Sequence, residues 1–388
     1  MAAQIFKKVI PTKLASSQHV HSIRFLKYFE NGAKTTYIAS RELNSPSGVS
    51  KLDNLALEAE KVVGYQTSLV RCLLSDEISS VLVHSKKLVG SRHPLLKTAR
   101  SLLYDGAEGF EAVGLIVLLM SGCGEGLMTE GAPLGQQLVS GIQQKQRKLA
   151  EVAEMINTGY MVHLGVVNKS DFQSLDDIKI MNFGNKVTVL TGDFFLAKAS
   201  VGLSELENTE VVDAMASVIG DIVEGETMKD CKTVNDTGLA EWEEVIFKSQ
   251  GSLFAKSCLA ALKLYSSPQH HQDAGFTFGK NLALLRQLFK DYQEINTELK
   301  TVALINAVVI QNKHILPPDV LENPLNTQIA VPESTRLKLQ NSKTAEKIED
   351  LANSYRNNAL ESLECFPNSK AKTCLENLVK HLVVGQNK

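Results

Sequence analysis

The sequence predicts an all-α protein with a large buried core, and three observations carry that expectation. From Asn54 onward, apolar residues recur at three- and four-residue spacing, as along one face of a helix. No run shows the two-residue alternation of a half-buried strand. No Gly-rich loop follows a strand-like run. The chain has 388 residues, 44% of them hydrophobic, which is enough to bury one long helical domain or two smaller ones.

Residues 1–41 hold Lys7, Lys8, Lys13, Arg24, Lys27, Lys34 and Arg41 against a single acid, Glu30, with serines between. This is the composition of a mitochondrial targeting segment, a basic helix that the import machinery reads and removes, with Ile5, Phe6, Val9 and Ile10 as its apolar side. An ordinary basic tail has the same composition, and Lys13 interrupts the apolar side. The most apolar stretch, residues 112–120, is shorter than the roughly 20 residues that span a bilayer, which leaves open only a peripheral membrane contact.

From residue 54 the helical blocks follow one another. Leu55, Leu57, Val62 and Val63 lead into Leu69, Val70, Leu73 and Leu74, and the polar break SRHP at 91–94 ends that run. The GCGEG at 122–126 follows an apolar helical run and lacks the Lys-Ser/Thr pair of a phosphate loop, so it reads as a turn between helices. Residues 149–168, LAEVAEMINTGYMVHLGVVN, form a helix with Leu149, Val152, Ile156 and Tyr160 on its buried side and Glu151 and Glu154 on other faces. In residues 182–200, Gly192 and Asp193 open a helix whose face carries Phe195, Leu196 and Ala199. A helix over 211–222, a polar loop through Asn235, a helix over 243–262 and another over 279–295 come next. After an apolar helix at 302–310 stand the breakers PPDV and Asn323-Pro324. Two final helices fill 344–383, with Pro367 stopping the first and Ser369 capping the second.

Charge and cysteines narrow the chemistry. A formal net charge of −2, with no basic run interleaved with aromatics, argues against nucleic acid as a partner. Cys72, Cys123, Cys231, Cys258, Cys365 and Cys374 contain no CxxC pair and no zinc-like spacing with histidine, so they read as reduced, packed thiols. Cys365 and Cys374 are close enough in sequence to meet across a turn, though a reducing compartment opposes a disulfide there.

Four of these segments, in this order, resemble the all-trans polyprenyl diphosphate synthases, and the likeness extends over residues 54–383. The wording AEMINTGYMVHLGVVN is similar to the family's AEMIHTASLVHDDVID, with Leu164, Gly165 and Asn168 at the three aspartates of the first acidic motif. Val89, Gly90, Ser91, Arg92, His93 and Pro94 stand where the family has GKRxRP, so the proline remains and the basic cluster does not. NFGNKVTVLTGDFFLAKAS is similar to GxKxAVLAGDYLLAKAS, and Lys248-Ser249 to the family's Lys-Thr pair. At the second acidic motif, FQxxDDxxD, Gln287 is retained while Lys290, Asp291 and Glu294 take the acid positions.

The resemblance implies an isoprenoid-synthase helical bundle around a central cavity over residues 54–388. It also implies that the chemistry is gone. Clustered carboxylates hold the magnesium ions that bridge a substrate diphosphate, and Leu164, Gly165 and a cationic Lys290 cannot replace them. Loss of the basic cluster removes charge-assisted bonds to the second diphosphate. Lys248 and Gln287 are left as vestigial substrate contacts; a lysine on a helix is also an ordinary solvated side chain. In active relatives bulk at the position of Tyr160 limits product length.

The wording matches the non-catalytic paralogues of heteromeric members, mitochondrial-matrix proteins that serve the ubiquinone side chain. This implies a catalytic polyprenyl diphosphate synthase subunit as partner, in a heterodimer or heterotetramer, with magnesium in that partner and no cofactor on this chain. Gly192, Phe195, Leu196 and Ala199 lie on the element the family places near its subunit interface; simple core packing fits their spacing equally. Two other functions stay open: a weakly active prenyltransferase using Lys248, Asp291 and Glu294, and an isoprenoid-lipid carrier.

Deleting residues 1–41 is expected to leave a folded, soluble protein that remains in the cytosol, because the segment supplies an address and not core contacts. Imaging of a tagged truncation checks this, and arrival in the matrix would overturn the targeting reading.

Overall fold

The computed structural model describes residues 51–64, 113–124, 138–139, 141–167, 175–231, 238–296 and 344–382. The expectations for residues 1–41, 89–94, Asn168 and 302–324, and for the side chains of Asp291 and Glu294, lie outside what it describes. The helices are α1 (Lys51–Val63), α2 (Val113–Cys123), α3 (Gln144–His163), α4 (Leu175–Ser204), α5 (Thr209–Cys231), α6 (Leu239–Ile246), α7 (Ser252–Leu264), α8 (Gln269–Asn296), α9 (Thr344–Leu363) and α10 (Lys370–His381). A π-helical turn, Phe247–Gly251, joins α6 to α7.

The core is organised around α2. All eleven of its residues are buried, and it packs against α1, α3, α7 and α10. A helix apolar on every side must be covered on every side, and each Leu, Ile, Val or Met buried this way contributes about 1.5–3 kcal/mol relative to exposure. Its amino end is held by an acid from another helix: the Gly114 amide donates to Glu154 Oε1 at 2.8 Å. Glu154 is therefore buried, although the sequence places it off the side that carries Leu149, Val152, Ile156 and Tyr160. A carboxylate against unpaired N–H groups at a helix amino terminus is favourable there.

Around this centre α3 packs on α4, α7 on α8, and α8 on α9. Among the described residues, β-structure is confined to a two-residue antiparallel ladder before α3, Leu138–Val139 against Ile142–Gln143. Gly141 turns it with φ of 73°, a conformation that suits a residue without Cβ. Ser369 caps α10 as expected, accepting from the Lys372 amide at 3.1 Å. Cys365 and Cys374 carry free thiols, as do the buried Cys123 and Cys258, and burial pushes the Cys123 thiol up to about 12.

Two helices depart from the expected boundaries. The helix expected over 149–168 ends at His163, and Leu164 and Gly165 follow as a turn. Gly192 and Asp193 do not open a helix; they lie inside the 30-residue α4. The glycine serves close approach instead. A Cβ on Gly192 would lie 2.1 Å from His163 Nε2, and one on Gly159 would lie 3.2 Å from the Gly192 carbonyl, so the α3–α4 crossing depends on two missing side chains.

Gly279 on α8 closely approaches another backbone: its Cβ would stand 2.6 Å from the Phe254 carbonyl and 2.7 Å from Ala255 Cα. Gly220, in α5, has nothing within 4 Å of a built Cβ. Gly279→Ala is therefore expected to cost about 1–3 kcal/mol through overpacking. Gly220→Ala should stabilise by up to about 1 kcal/mol through helix propensity. Urea unfolding of both variants measures the contrast.

Candidate functional site

Around the carboxyl end of α3, groups of α4 and α5 engage α3 and the chain that leaves it. Helix α3 stops because the chain tightens into successive three-residue turns: Gly165 N–H donates to Val162 O at 2.9 Å and Val166 N–H to His163 O at 3.1 Å. Asn185 of α4 then clamps the exit, donating to Val167 O at 2.8 Å and accepting from Val167 N–H at 2.9 Å. His163 lies against Gly192, with Nε2 3.2 Å from Val189 O and 3.4 Å from Asp193 Oδ1.

At the first acidic-motif positions, Leu164 is 51% exposed and Gly165 is buried in the turn. Neither side chain offers oxygen to a hard cation. The helix has also ended, so the one-face geometry expected of positions i, i+1 and i+4 does not form here. Among the described residues no group of three His, Cys, Asp or Glu is gathered as a metal would require. At Leu164 and Gly165 the side chains present offer a magnesium ion no ligand.

The basic groups nearby are satisfied from within the chain. Lys248, in the π-helical turn, pairs with Glu224 of α5 at 2.5 Å, and that bond holds its ammonium above the ordinary lysine range. Lys256 of α7 reaches Asp221 at 2.5 Å and Ser217 Oγ at 2.7 Å, and Asp221 also accepts from Ser252 Oγ. Lys229 reaches Glu226 Oε1 at 2.6 Å, and the same oxygen accepts from the Tyr160 hydroxyl at 2.7 Å. One helix, α5, thus neutralises these three lysines, and its Glu210 pairs with a fourth, Lys263 of α7.

The π turn is positioned by Gly225, whose built Cβ would lie 2.5 Å from the Ser249 amide nitrogen. Ser249 Oγ is buried there with no hydrogen-bond partner. Gln287 and Lys290 are half-buried on α8. Glu226 and Asp221 escaped sequence reasoning, since an acid on a helix carries no sign of its partner 35 or 66 residues away.

The residues nominated for a subunit contact lie on the side of α4 that is covered by this chain itself. Gly192, Phe195 and Ala199 are buried within this chain, and Leu196 is half-buried with its methyl carbons beside Gly159. The exposed side carries Phe183, Leu190, Phe194 and Val201, four apolar residues spaced 7, 4 and 7 apart and 40–60% exposed. Residues Ile178–Ser204 are long and apolar enough to cross a membrane by length and composition alone; packing of Phe195 and Ala199 in the core is the behaviour of a bundle helix.

The polyprenyl synthetase family model matches residues 116–303. Among curated relatives, the human all trans-polyprenyl-diphosphate synthase PDSS2 is 38% identical over 343 residues, covering 83% of this chain and 85% of that protein. A probable mitochondrial hexaprenyl pyrophosphate synthase of Neurospora crassa is 30% identical, covering 77% of this chain and 78% of that protein. Among solved structures, a polyprenyl synthase from Caulobacter crescentus superposes with a TM-score of 0.60 at 19% identity, covering 87% of this chain and 99% of that one. A decaprenyl diphosphate synthase from Rhodobacter capsulatus gives 0.57 at 17% identity, covering 84% and 98%. The expected isoprenoid-synthase fold and the resemblance to the subunit-2 sequences both stand.

The two faces of α4 are separable by adjacent substitutions. Phe195→Asp buries an unpaired charge and is expected to destabilise the chain by about 3–5 kcal/mol. Phe194→Asp, on the exposed side, should stay within about 0.5 kcal/mol of the parent. Denaturant midpoints of the isolated chain measure both.

Proposed function

The chain belongs to the polyprenyl synthetase family, and from that premise we propose that it is the non-catalytic subunit of a heteromeric all-trans polyprenyl diphosphate synthase serving the ubiquinone side chain. One observation carries this reading: at the end of α3, where the family's wording places metal-binding acids, a half-exposed Leu164 and a turn-forming Gly165 stand instead. Prenyl transfer needs a metal-held leaving diphosphate. Lys248, the nearest family phosphate contact, is tied to Glu224 of the same chain, which supports the same reading.

The catalytic paralogue then supplies magnesium and both diphosphate sites, and this chain supplies a surface. The exposed stripe of α4, about 27 Å long for its 18-residue span, is the contact face in this proposal, and residues 1–41 carry this chain's mitochondrial address. Several large apolar side chains left on one side of a helix favour association with another protein.

The purified chain alone is expected not to elongate farnesyl diphosphate with isopentenyl diphosphate and magnesium, whereas the mixture with its catalytic paralogue does. Leu164→Asp, Gly165→Asp and Asn168→Asp introduced together should leave it inactive, since Lys290 and the missing basic cluster remain. Phe194→Asp should reduce co-purification of the paralogue and activity of the mixture together. Elongation by the unaided chain, parent or triple variant, at rates near those of the mixture would refute the reading.

A further inference from the structure

The turn between α9 and α10 gives its carbonyls to side chains of two other helical segments. His271, on the first turn of α8, places Nε2 3.2 Å from Cys365 O, and the Lys372 ammonium of α10 donates to Phe366 O at 3.0 Å. A carbonyl in a covered turn needs such a donor from elsewhere. The Phe366 side chain is buried and lies beside the His271 ring, with centroids 5.2 Å apart. One imidazole thus fastens the turn to the start of α8 by a hydrogen bond and by packing.

That bond fixes the protonation state. A carbonyl oxygen only accepts, so Nε2 carries the proton and Nδ1 the lone pair. His271 is 6% exposed, and its Nδ1 is buried with no hydrogen-bond partner. A second proton would put a charge and an unmatched donor into a dry site. The titratable groups that face the ring offer no compensation: they are His270 on α8 itself, with ring centroids 3.9 Å apart, and Cys365 and Lys372 from the α9–α10 side. Among the described residues no carboxylate pairs with it. Gln272, next on the helix, turns its amide to Ser267 O at 2.8 Å, and adjacent helical side chains do not face each other.

We infer that His271 is a proton-sensitive latch: neutral, it holds the α9–α10 turn on the start of α8, and uptake of a proton releases that turn. Burial, the largest influence, holds the imidazole below the ordinary histidine range, with the Cys365 bond opposing and His270 adding to it. A histidine that is depressed when latched and ordinary when released binds more protons in the released state. The latch is therefore fully set above the ordinary value of about 6.5 and weakens as pH falls below it. It needs neither metal nor substrate, so it stands or falls separately from the partner role.

Hydrogen exchange of the full-length chain, corrected for the intrinsic effect of pH on each amide, is the test. The reporters are the Phe366 amide, bonded to Leu363 O at 3.1 Å, and the Lys372 amide, bonded to Ser369 Oγ at 3.1 Å. Amides of α5, a helix without histidine, are the reference. From about pH 7.5 to about pH 5.5 the reporters' protection is expected to fall by up to about tenfold relative to α5, the limit that one ordinary histidine sets. His271→Gln brings an amide donor to Cys365 O without titrating, and should abolish the difference. His270→Gln and His381→Gln, which leave the latch in place, should keep it. If His271→Gln does not fold by circular dichroism, these two variants carry the test, because loss of the difference in either assigns it to another histidine. A selective loss below about twofold in the parent, an equal loss in folded His271→Gln, or its disappearance in His270→Gln or His381→Gln overturns the latch.

Discussion

The close crossing of α3 and α4 is the constraint on which the site depends. Where Gly159 meets Gly192 no side chain separates the two backbones, and His163 fills the notch above Gly192. Every later position on α3 inherits that registration. With α3 pressed on α4 along this seam, Tyr160 points across to α5, and the chain turns off the helix axis at Leu164 and is clamped by Asn185. A β-carbon at Gly192 would push the two helices apart or eject the histidine.

Charge distribution on α5 is the second determinant. Asp221, Glu224 and Glu226 lie within two turns of one helix and each engages a lysine, on α7, on the π turn and on α5 itself. Exposed ion pairs contribute little stability, and Glu224 is more than half exposed. Their consequence is electrostatic: lysines paired at such short range present little net positive field to a diphosphate.

The apolar side of α4 shows how far periodicity reaches. The segment is apolar around most of its circumference, so the same helix buries Phe195 and Ala199 and exposes Phe183, Leu190, Phe194 and Val201. Composition announces a helix that must be covered on two sides; which side meets its own chain is decided by the small residues that let α3 approach. Phe195 lies on the inward face, one residue from the exposed Phe194.

From its sequence alone the chain is determined to be all-α and its motifs fall in a recognisable order, because residue identity and helical period are local properties. The Ser369 cap and the turn after Pro367 were legible for the same reason. Tertiary structure alone decided that α3 ends at His163, that Glu154 is buried against the amino end of α2, and that Tyr160 pairs with Glu226, 66 residues away. Spacing reports which side of a helix is apolar; it does not report which distant helix covers that side. A buried acid is tolerated only where a particular donor reaches it, and that donor is chosen by the packing of the whole bundle.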